Sequence, residues 1–267
     1  MSFNPHQWYL NGLKKFQLSW SFDTLNTSEP TKNAFLIRRE SDNVEQTFTF
    51  SEVINGTYAT FINATNGAVR KWFGNLNYIE QTNTAYQPRL KDNSGNPYVD
   101  EYAQGYLLRG KHYASLVNDS IVTYIFKDET NANSQRSNIS IRGFGMDVFS
   151  LELVSPTAGY VVYNKVGNME LSDYSFAYAN DGLFKLLTFT IIGGVKKVYI
   201  NNIDTTKGAG GYEIGANPTV NDVILGGREN GYGKINKYQH LGLFTGVDLS
   251  GINISDYNTA LMTKYGI

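Results

Sequence analysis

The residues best suited to chemistry in this sequence are three carboxylates close together, Glu40, Asp42 and Glu45. Enzymes that cleave glycosidic bonds with retention use two carboxyl groups about 5–5.5 Å apart, one as the nucleophile and one as the acid and base. On an extended strand, residues i and i+2 face the same side, so Glu40 and Asp42 would lie together. A bulge would bring Glu45 alongside them. If this segment is a strand, its spacing predicts a glycan-cleaving site.

The residues between these acids favour a different interpretation. Residues 41–43 read Ser-Asp-Asn, and these types favour turns because their side chains hydrogen-bond the nearby backbone. The neighbouring Arg38 and Arg39 would then pair with the acids in a structural cluster. We therefore assign no catalytic residue, and the three carboxylates stay as the candidates for a glycoside hydrolase.

Metal and cofactor chemistry has little support in the sequence. The only histidines are His6, His112 and His240, and they are too far apart to form a local metal motif. The absence of cysteine excludes disulfides and thiolate sites. We expect no cofactor. Calcium alone stays open, since loop aspartates and backbone oxygens can bind it, and we assign it no ligand.

Aromatic side chains offer a second kind of site, because exposed rings can stack on sugars. Each such ring could equally well be part of the core or of an interface between subunits. The candidates for glycan contact are Trp72, Tyr78, Tyr86, Tyr102, Tyr113, Tyr232 and Tyr238.

Composition indicates one large all-β domain. The chain has 267 residues, 41% of them hydrophobic, with 19 Tyr and 15 Phe, which favour strands. A net charge of −1 gives no basic field for nucleic acid. No apolar run approaches the ~20 residues that span a membrane. The first residues lack the pattern of a signal peptide, so we expect synthesis in the cytoplasm.

The elements that would position these side chains are short strands separated by turn residues. Apolar or alternating runs occur at residues 34–38, 46–50, 57–62, 106–108, 120–127, 137–142, 148–154, 160–163, 174–178, 186–192, 197–200, 223–225 and 241–244. Residues 191–202 read as a hairpin around Gly193 and Gly194. Residues 1–20 form a separate N-terminal segment, a candidate attachment arm, and residues 21–267 form one domain.

The C-terminus predicts a short helix. Ser255 stands at an N-cap position, where its hydroxyl can accept a backbone N–H. Tyr257, Leu261 and Tyr265 follow at helical spacing on one face. Gly266 occupies the C′ position, where a left-handed glycine ends a helix.

The order of these segments resembles the laminin-G-type, concanavalin A-like jelly rolls. The end of the chain matches their pattern of a strand, Leu-Gly-Gly-Arg at residues 225–228, a loop, a strand and a short helix. Residues 197–202, Lys-Val-Tyr-Ile-Asn-Asn, resemble the family's Leu-Tyr-Val-Asn-Gly, with Asn202 in place of Gly. Residues 34–50, AFLIRRESDNVEQTFTF, with Gln-Pro at 87–88 and Gly-Asn-Pro at 95–97, resemble arabinofuranosidase-like domains of bacteriophage virion proteins.

This resemblance implies an all-β sandwich of two antiparallel sheets with short terminal helices. It also implies a non-enzymatic virion surface protein, such as a capsid decoration, head fibre or tail component, that contacts host glycans. The N-terminal segment would bind other virion proteins, and the chain would act as a homo-oligomer or within a larger assembly. The alternatives are a carbohydrate-binding adhesion module and a glycan depolymerase.

Overall fold

The computed structural model describes most of the chain, with gaps between the ranges that follow. The described residues are 17–21, 34–49, 52–53, 56–63, 65–73, 78–93, 96–100, 108–115, 120–128, 136–143, 146–155, 158–164, 171–177, 179–193, 195–206, 219–225, 236–245 and 251–267. Strands dominate these ranges, which confirms the prediction of an all-β chain.

Eighteen strands, two helices and one 3₁₀ turn lie within the described residues. The strands are β1 Gln17–Ser21, β2 Ala34–Arg39, β3 Glu45–Thr49, β4 Gly67–Phe73, β5 Tyr78–Glu80, β6 Arg89–Asn93, β7 Asn96–Asp100, β8 Leu108–Ser115, β9 Ser120–Asp128, β10 Arg136–Gly143, β11 Met146–Ser155, β12 Ala158–Asn164, β13 Leu171–Ala177, β14 Lys185–Ile192, β15 Val195–Ile200, β16 Ile203–Asp204, β17 Thr219–Leu225 and β18 Asn236–Thr245. The helices are α1 Thr57–Ile62 and α2 Ile254–Tyr265, and the 3₁₀ turn is Thr84–Tyr86. Neither helix is long and apolar enough to cross a membrane.

The strands pair antiparallel throughout the described part of the chain and form two runs. One run has the order β3-β2-β4-β5-β8-β17-β10-β11-β12-β13. The other has the order β1-β18-β9-β14-β15-β16. Strands β6 and β7 pair with each other and link β4 to β18.

Aromatic side chains join the two runs in the core. Trp72 of β4 is fully buried, and its ring stacks on that of Tyr238 of β18 with centroids 5.9 Å apart. Tyr124 of β9 packs on Tyr238 at 6.3 Å, and Phe35 of β2 stacks on Trp72 at 5.5 Å. Such large rings remove much apolar area from water and stabilise the contact between the runs.

Strand β14 is buried on both faces, because α2 lies over the side that turns away from the core. Residues 185–191 are all buried, although they include Lys185, Thr188 and Thr190. The hydroxyl of Thr188 donates to Asn258 Oδ1 on α2 at 2.7 Å. Strand alternation turns Thr188 toward the helix, and this bond satisfies its buried hydroxyl there.

Helix α2 confirms the predicted face and the predicted end. Tyr257, Leu261 and Tyr265 are 1%, 3% and 4% exposed, and Gly266 has φ 66°. The predicted N-cap is wrong by two residues. Asn253 caps the helix, with its side-chain oxygen accepting from the N–H groups of residues 255 and 256. Asparagine is as good an N-cap as serine, and both types stand near this helix start.

Residues 57–62 were expected to be a strand and instead form α1. Their apolar residues suit a helical spacing, with Tyr58 buried and Phe61 packed on Phe48 of β3 at 5.3 Å. Left-handed residues bound the helix, Gly56 at φ 76° and Asn63 at φ 47°. Strand propensity here yields to tertiary packing.

The predicted hairpin at residues 191–202 is confirmed. Ile192 pairs with Val195, and Gly193 has φ 56°. A second tight turn follows at Asn201 and Asn202, which have φ 47° and 67°, and it connects β15 to β16. Two consecutive left-handed residues characterise the type I′ hairpin turn, and asparagine tolerates this conformation well.

Strand β1 lies across the predicted boundary between arm and domain. Residues 17–21 pair in continuous register with residues 240–244 of β18. Residues 17–20 of the predicted arm therefore belong to the sheet. Residues 1–16 lie outside the described part of the chain.

Candidate functional site

The three sequence-predicted carboxylates lie at a hairpin turn and not along one strand. Strand β2 ends at Arg39, and β3 begins at Glu45. The backbone N–H of Asn43 donates to the carbonyl of Arg39 at 2.9 Å, and Asn43 has φ 63°. The turn predicted for residues 41–43 is confirmed. Because Glu40 and Asp42 lie in this turn and not on a strand, strand alternation does not place them on one face.

Each carboxylate also lies near a different arginine. Glu40 meets Arg89 at 3.3 Å, Asp42 meets Arg39 at 2.6 Å and Glu45 meets Arg70 at 3.8 Å. The hydrogen bond from Arg39 lowers the pKa of the exposed Asp42 carboxyl below its ordinary value. A glycosidase acid needs a raised pKa, so Asp42 is unsuited to that role.

Arg38 does not pair with any of these acids, contrary to the expectation of a shared acid–arginine cluster. It is only 6% exposed, and its guanidinium donates to three neutral oxygens. Nε donates to Gln87 Oε1 at 2.6 Å, Nη1 donates to Asn43 Oδ1 at 2.8 Å, and Nη2 donates to the carbonyl of Thr84 at 3.2 Å. Arg38 thus ties the β2–β3 turn to the loop before β6.

That loop, residues 81–87, is held by its own amides. Gln87 is 1% exposed, and its Nε2 donates to the carbonyl of Gln81 at 3.0 Å. Asn83 accepts from the N–H of Ala85 and caps the 3₁₀ turn. Because both ends of the Gln87 amide are used, its oxygen is fixed toward Arg38.

Beside this loop, two neighbouring strands form an aromatic and charged surface. We call Lys71 and Phe73 of β4, with Tyr78 and Glu80 of β5, the β4–β5 face. Lys71 is opposite Glu80 in register, and Phe73 is opposite Tyr78. Directly opposed residues share one face of a sheet, so the four side chains are neighbours.

Tyr78 is the most exposed member of the β4–β5 face, at 42%. Lys71 Nζ lies 4.1 Å from the centre of its ring, and the Phe73 ring meets it edge-on at 5.9 Å. Lys71 is in turn 3.6 Å from Glu80, which also binds Arg70 at 2.8 Å. The Tyr78 hydroxyl makes no hydrogen bond to the described residues. The face therefore presents an ordered ring with a polar group facing water.

The other predicted glycan contacts fall into four groups. Tyr86, at the end of the 3₁₀ turn, is 46% exposed and remains a candidate. Trp72 and Tyr238 are fully buried and stack on each other, so both are core residues, and the structure corrects their assignment. Tyr113 lies on β8. Tyr102 and Tyr232 lie outside the described residues.

Three members of the β4–β5 face, Lys71, Phe73 and Glu80, were missed from the sequence. Lys71 and Phe73 are two residues apart, as are Tyr78 and Glu80. A period of two marks one side of a strand, and two such pairs close in sequence would have indicated a shared face.

No metal centre is present among the described residues: no three of their acidic or histidine side chains lie together in a suitable cluster. His112 and His240 lie on β8 and β18, and His6 is outside the described ranges. Calcium binding therefore stays a prediction without a site.

No protein-family model matches the chain, and no curated protein matches it. Among solved structures, Trypanosoma rangeli sialidase is similar with a TM-score of 0.50 and 11% identity, over 73% of this chain and 31% of the sialidase. The botulinum neurotoxin serotype D binding domain gives 0.48 and 15%, over 89% and 52%. That toxin's ligand-binding domain in complex with N-acetylneuraminic acid gives 0.47 and 13%, over 88% and 50%.

This chain thus spans about half of the toxin domains and about a third of the sialidase. At such low identity, the likeness to the sialidase shows a fold shared with part of that protein.

Proposed function

We propose that this chain is a non-enzymatic glycan-binding protein with a concanavalin A-like jelly roll, and that the β4–β5 face contacts the sugar. The observation that carries this proposal is the exposed ring of Tyr78, held by Lys71 and Phe73. Tyr86 on the neighbouring loop is the second contact.

The physical support is the match between this surface and a sugar. A pyranose presents C–H groups on its faces and hydroxyls around its rim, so it suits an aromatic ring flanked by polar side chains. Tyrosine loses little conformational entropy on binding, and a ring already fixed by its neighbours loses still less. Lys71 and Glu80 then offer a donor and an acceptor for sugar hydroxyls.

A non-catalytic role fits the carboxylates better than hydrolysis does. Glu40, Asp42 and Glu45 surround a turn, and each meets a different arginine. Of the three, Asp42 has its pKa lowered by the hydrogen bond from Arg39, so it is a poor proton donor to a leaving group.

The test is an array of bacterial glycans with release of reducing ends measured in the same wells. We expect binding without release. Tyr78→Ala should weaken binding about tenfold or more. A ring that becomes largely buried under the bound sugar contributes about 1.5–3 kcal/mol to the binding free energy. Tyr86→Ala should weaken it by less. Leu183→Ala is the matched control, since Leu183 is an exposed apolar side chain, 64% exposed, in the loop before β14.

Three results would count against this proposal. If Tyr78→Ala binds as well as the parent chain, the β4–β5 face is not the site. If reducing ends are released, and Glu40→Gln or Glu45→Gln abolishes the release, the chain is a glycan depolymerase. Silence in every well favours a structural subunit whose partner is another protein.

We further propose that the chain works on the surface of a bacteriophage virion, attached to other virion proteins through its N-terminal segment. The support is the resemblance of residues 34–50, 87–88 and 95–97 to virion-protein domains. The test is incorporation into particles of a chain that lacks residues 1–16. The deletion stops at 16 because removing residues 17–20 would also remove β1 from β18. Unchanged incorporation would overturn the attachment role.

A further inference from the structure

The side chain of Arg38 is buried beside the exposed residues Asn43 and Thr84, and it has no acidic partner among the residues that the structure describes. Its three acceptors are an amide oxygen of Gln87, an amide oxygen of Asn43 and a backbone carbonyl. The nearest acids in sequence, Glu40 and Asp42, bind other arginines. Removing a cation from water is costly unless an anion compensates it, so most buried arginines have a carboxylate partner.

The guanidinium still has donors to offer. It has five N–H groups, and the three bonds use one on Nε, one on Nη1 and one on Nη2. One N–H remains on each terminal nitrogen. A carboxylate that takes the place of Asn43 Oδ1 at Nη1 can accept a second hydrogen bond from the unused N–H of Nη2.

Two of the residues that bond the guanidinium lie at the surface. Asn43 and Thr84 are both exposed, although each supplies an acceptor to Arg38. Asn43 lies at the tip of the β2–β3 turn, so its side chain can turn to solvent without moving a strand. Its Oδ1, 2.8 Å from Nη1, occupies a position that a ligand oxygen can take. Tyr86, two residues after Thr84 in the same loop, has an exposed side chain.

We propose that Arg38 recognises the carboxylate of an acidic sugar, with Asn43 Oδ1 as the acceptor that the ligand replaces. This inference rests on the proposed glycan-binding function and specifies its ligand class. The carboxylate would neutralise the buried cation, and the sugar ring would lie toward Tyr86. A neutral sugar offers no such compensation, so binding should discriminate by charge.

The structure supplies a substitution that separates recognition from simple support of the loop. Asn43→Asp places a carboxylate of the chain itself on Arg38. The fold should be kept or stabilised, whereas an acidic ligand now meets an occupied guanidinium. Asn83→Asp is the matched control, because it adds the same charge to the adjoining loop and retains an oxygen for the N–H of Ala85.

The experiment follows the Arg38 Nε–Hε signal by NMR, assigned from its loss in Arg38→Gln, during titration with galacturonate, galactose or acetate. We expect galacturonate to shift the signal and galactose to leave it unchanged. Asn43→Asp should weaken the galacturonate response at least about tenfold, since bonds to a charged group are among the strongest a site can make. Asn83→Asp should retain it.

The outcomes separate this inference from the broader proposal. An Arg38 signal that galacturonate does not move, or moves equally in Asn43→Asp, overturns the inference. Acetate that acts as strongly as galacturonate shows a carboxylate site without sugar recognition, and also overturns it. If neutral glycans bind in a manner that depends on Tyr78 while Arg38 is silent, the glycan-binding proposal stands alone.

Discussion

Asn202 joins the β15–β16 turn to helix α2, and its substitution should show whether its side chain or its backbone conformation matters. The two N–H groups of its Nδ2 share three acceptors: Ser255 Oγ at 3.0 Å, the Ser255 carbonyl at 3.2 Å and Thr259 Oγ1 at 3.1 Å. Its Oδ1 accepts from Asn258 Nδ2 at 3.3 Å. Asn258 is fully buried and accepts from Thr188. The turn, the helix and β14 thus share one chain of hydrogen bonds.

The expected loss of stability for Asn202→Gly follows from these contacts. The bonds to α2 are exposed, so together they contribute about 1 kcal/mol. Leaving the buried Asn258 amide without its acceptor costs about 1–2 kcal/mol more. Glycine relieves the left-handed backbone at φ 67° but gives the unfolded chain more freedom, and these effects largely cancel. We expect the free energy of unfolding to fall by about 2–3 kcal/mol.

Asn202→Ala removes the same bonds but retains a Cβ. It should cost about 1 kcal/mol more than the glycine variant, because alanine is strained in the left-handed region. Thr263→Ala is the control, since its hydroxyl bonds only the carbonyl of Thr259 within α2. Urea unfolding followed by fluorescence measures all three. If Asn202→Gly is as stable as the parent, the side-chain contacts contribute nothing and the reasoning is refuted.

Two further predictions concern charged side chains. The hydrogen bond from Lys185 lowers the pKa of Asp181, so this carboxylate stabilises the fold above its unfolded pKa and stops doing so as the pH falls through the lowered folded value. Asp181→Asn should therefore reduce the free energy of unfolding at neutral pH, with a deficit that disappears in acid, as urea titrations at several pH values would reveal. A deficit that persists in acid contradicts this assignment. Glu40→Gln combined with Glu45→Gln should leave binding to the glycan array unchanged, and a loss of binding would place these acids in the site.

Local sequence signals predicted local structure well. The hairpin at Gly193, the helical face of Tyr257, Leu261 and Tyr265, and the end at Gly266 are all confirmed. Each depends on residues within about one or two turns of one another, where backbone preference and periodicity act directly. The predictions failed at residues 57–62 and at the α2 N-cap, for two different reasons. Packing against β3 decides the first, and a choice between two good caps decides the second.

Contacts distant in sequence could not be predicted in this way. Arg38 and Gln87 are 49 residues apart. Nothing in either segment indicates that the buried amide of Gln87, and not a carboxylate, would accept the hydrogen bond from Arg38. Arg39 did find Asp42, because that pair spans only a three-residue turn. The candidate anion site therefore becomes visible only when the loop of residues 81–87 lies against β2.

The sorting of aromatic side chains between core and surface has a single cause in β4. Against β2, Ile37 is opposite Val69 and Leu36 is opposite Lys71, so Arg70 is an extra residue in the ladder. If side chains alternated strictly between the two faces of β4 from the buried Val69 onward, Trp72 would point outward. The extra residue shifts this alternation by one position, so Trp72 points inward. Trp72 thus enters the core, while Lys71 and Phe73 turn outward to meet Tyr78. The same bulge that removes Trp72 from the list of sugar contacts creates the β4–β5 face that replaces it.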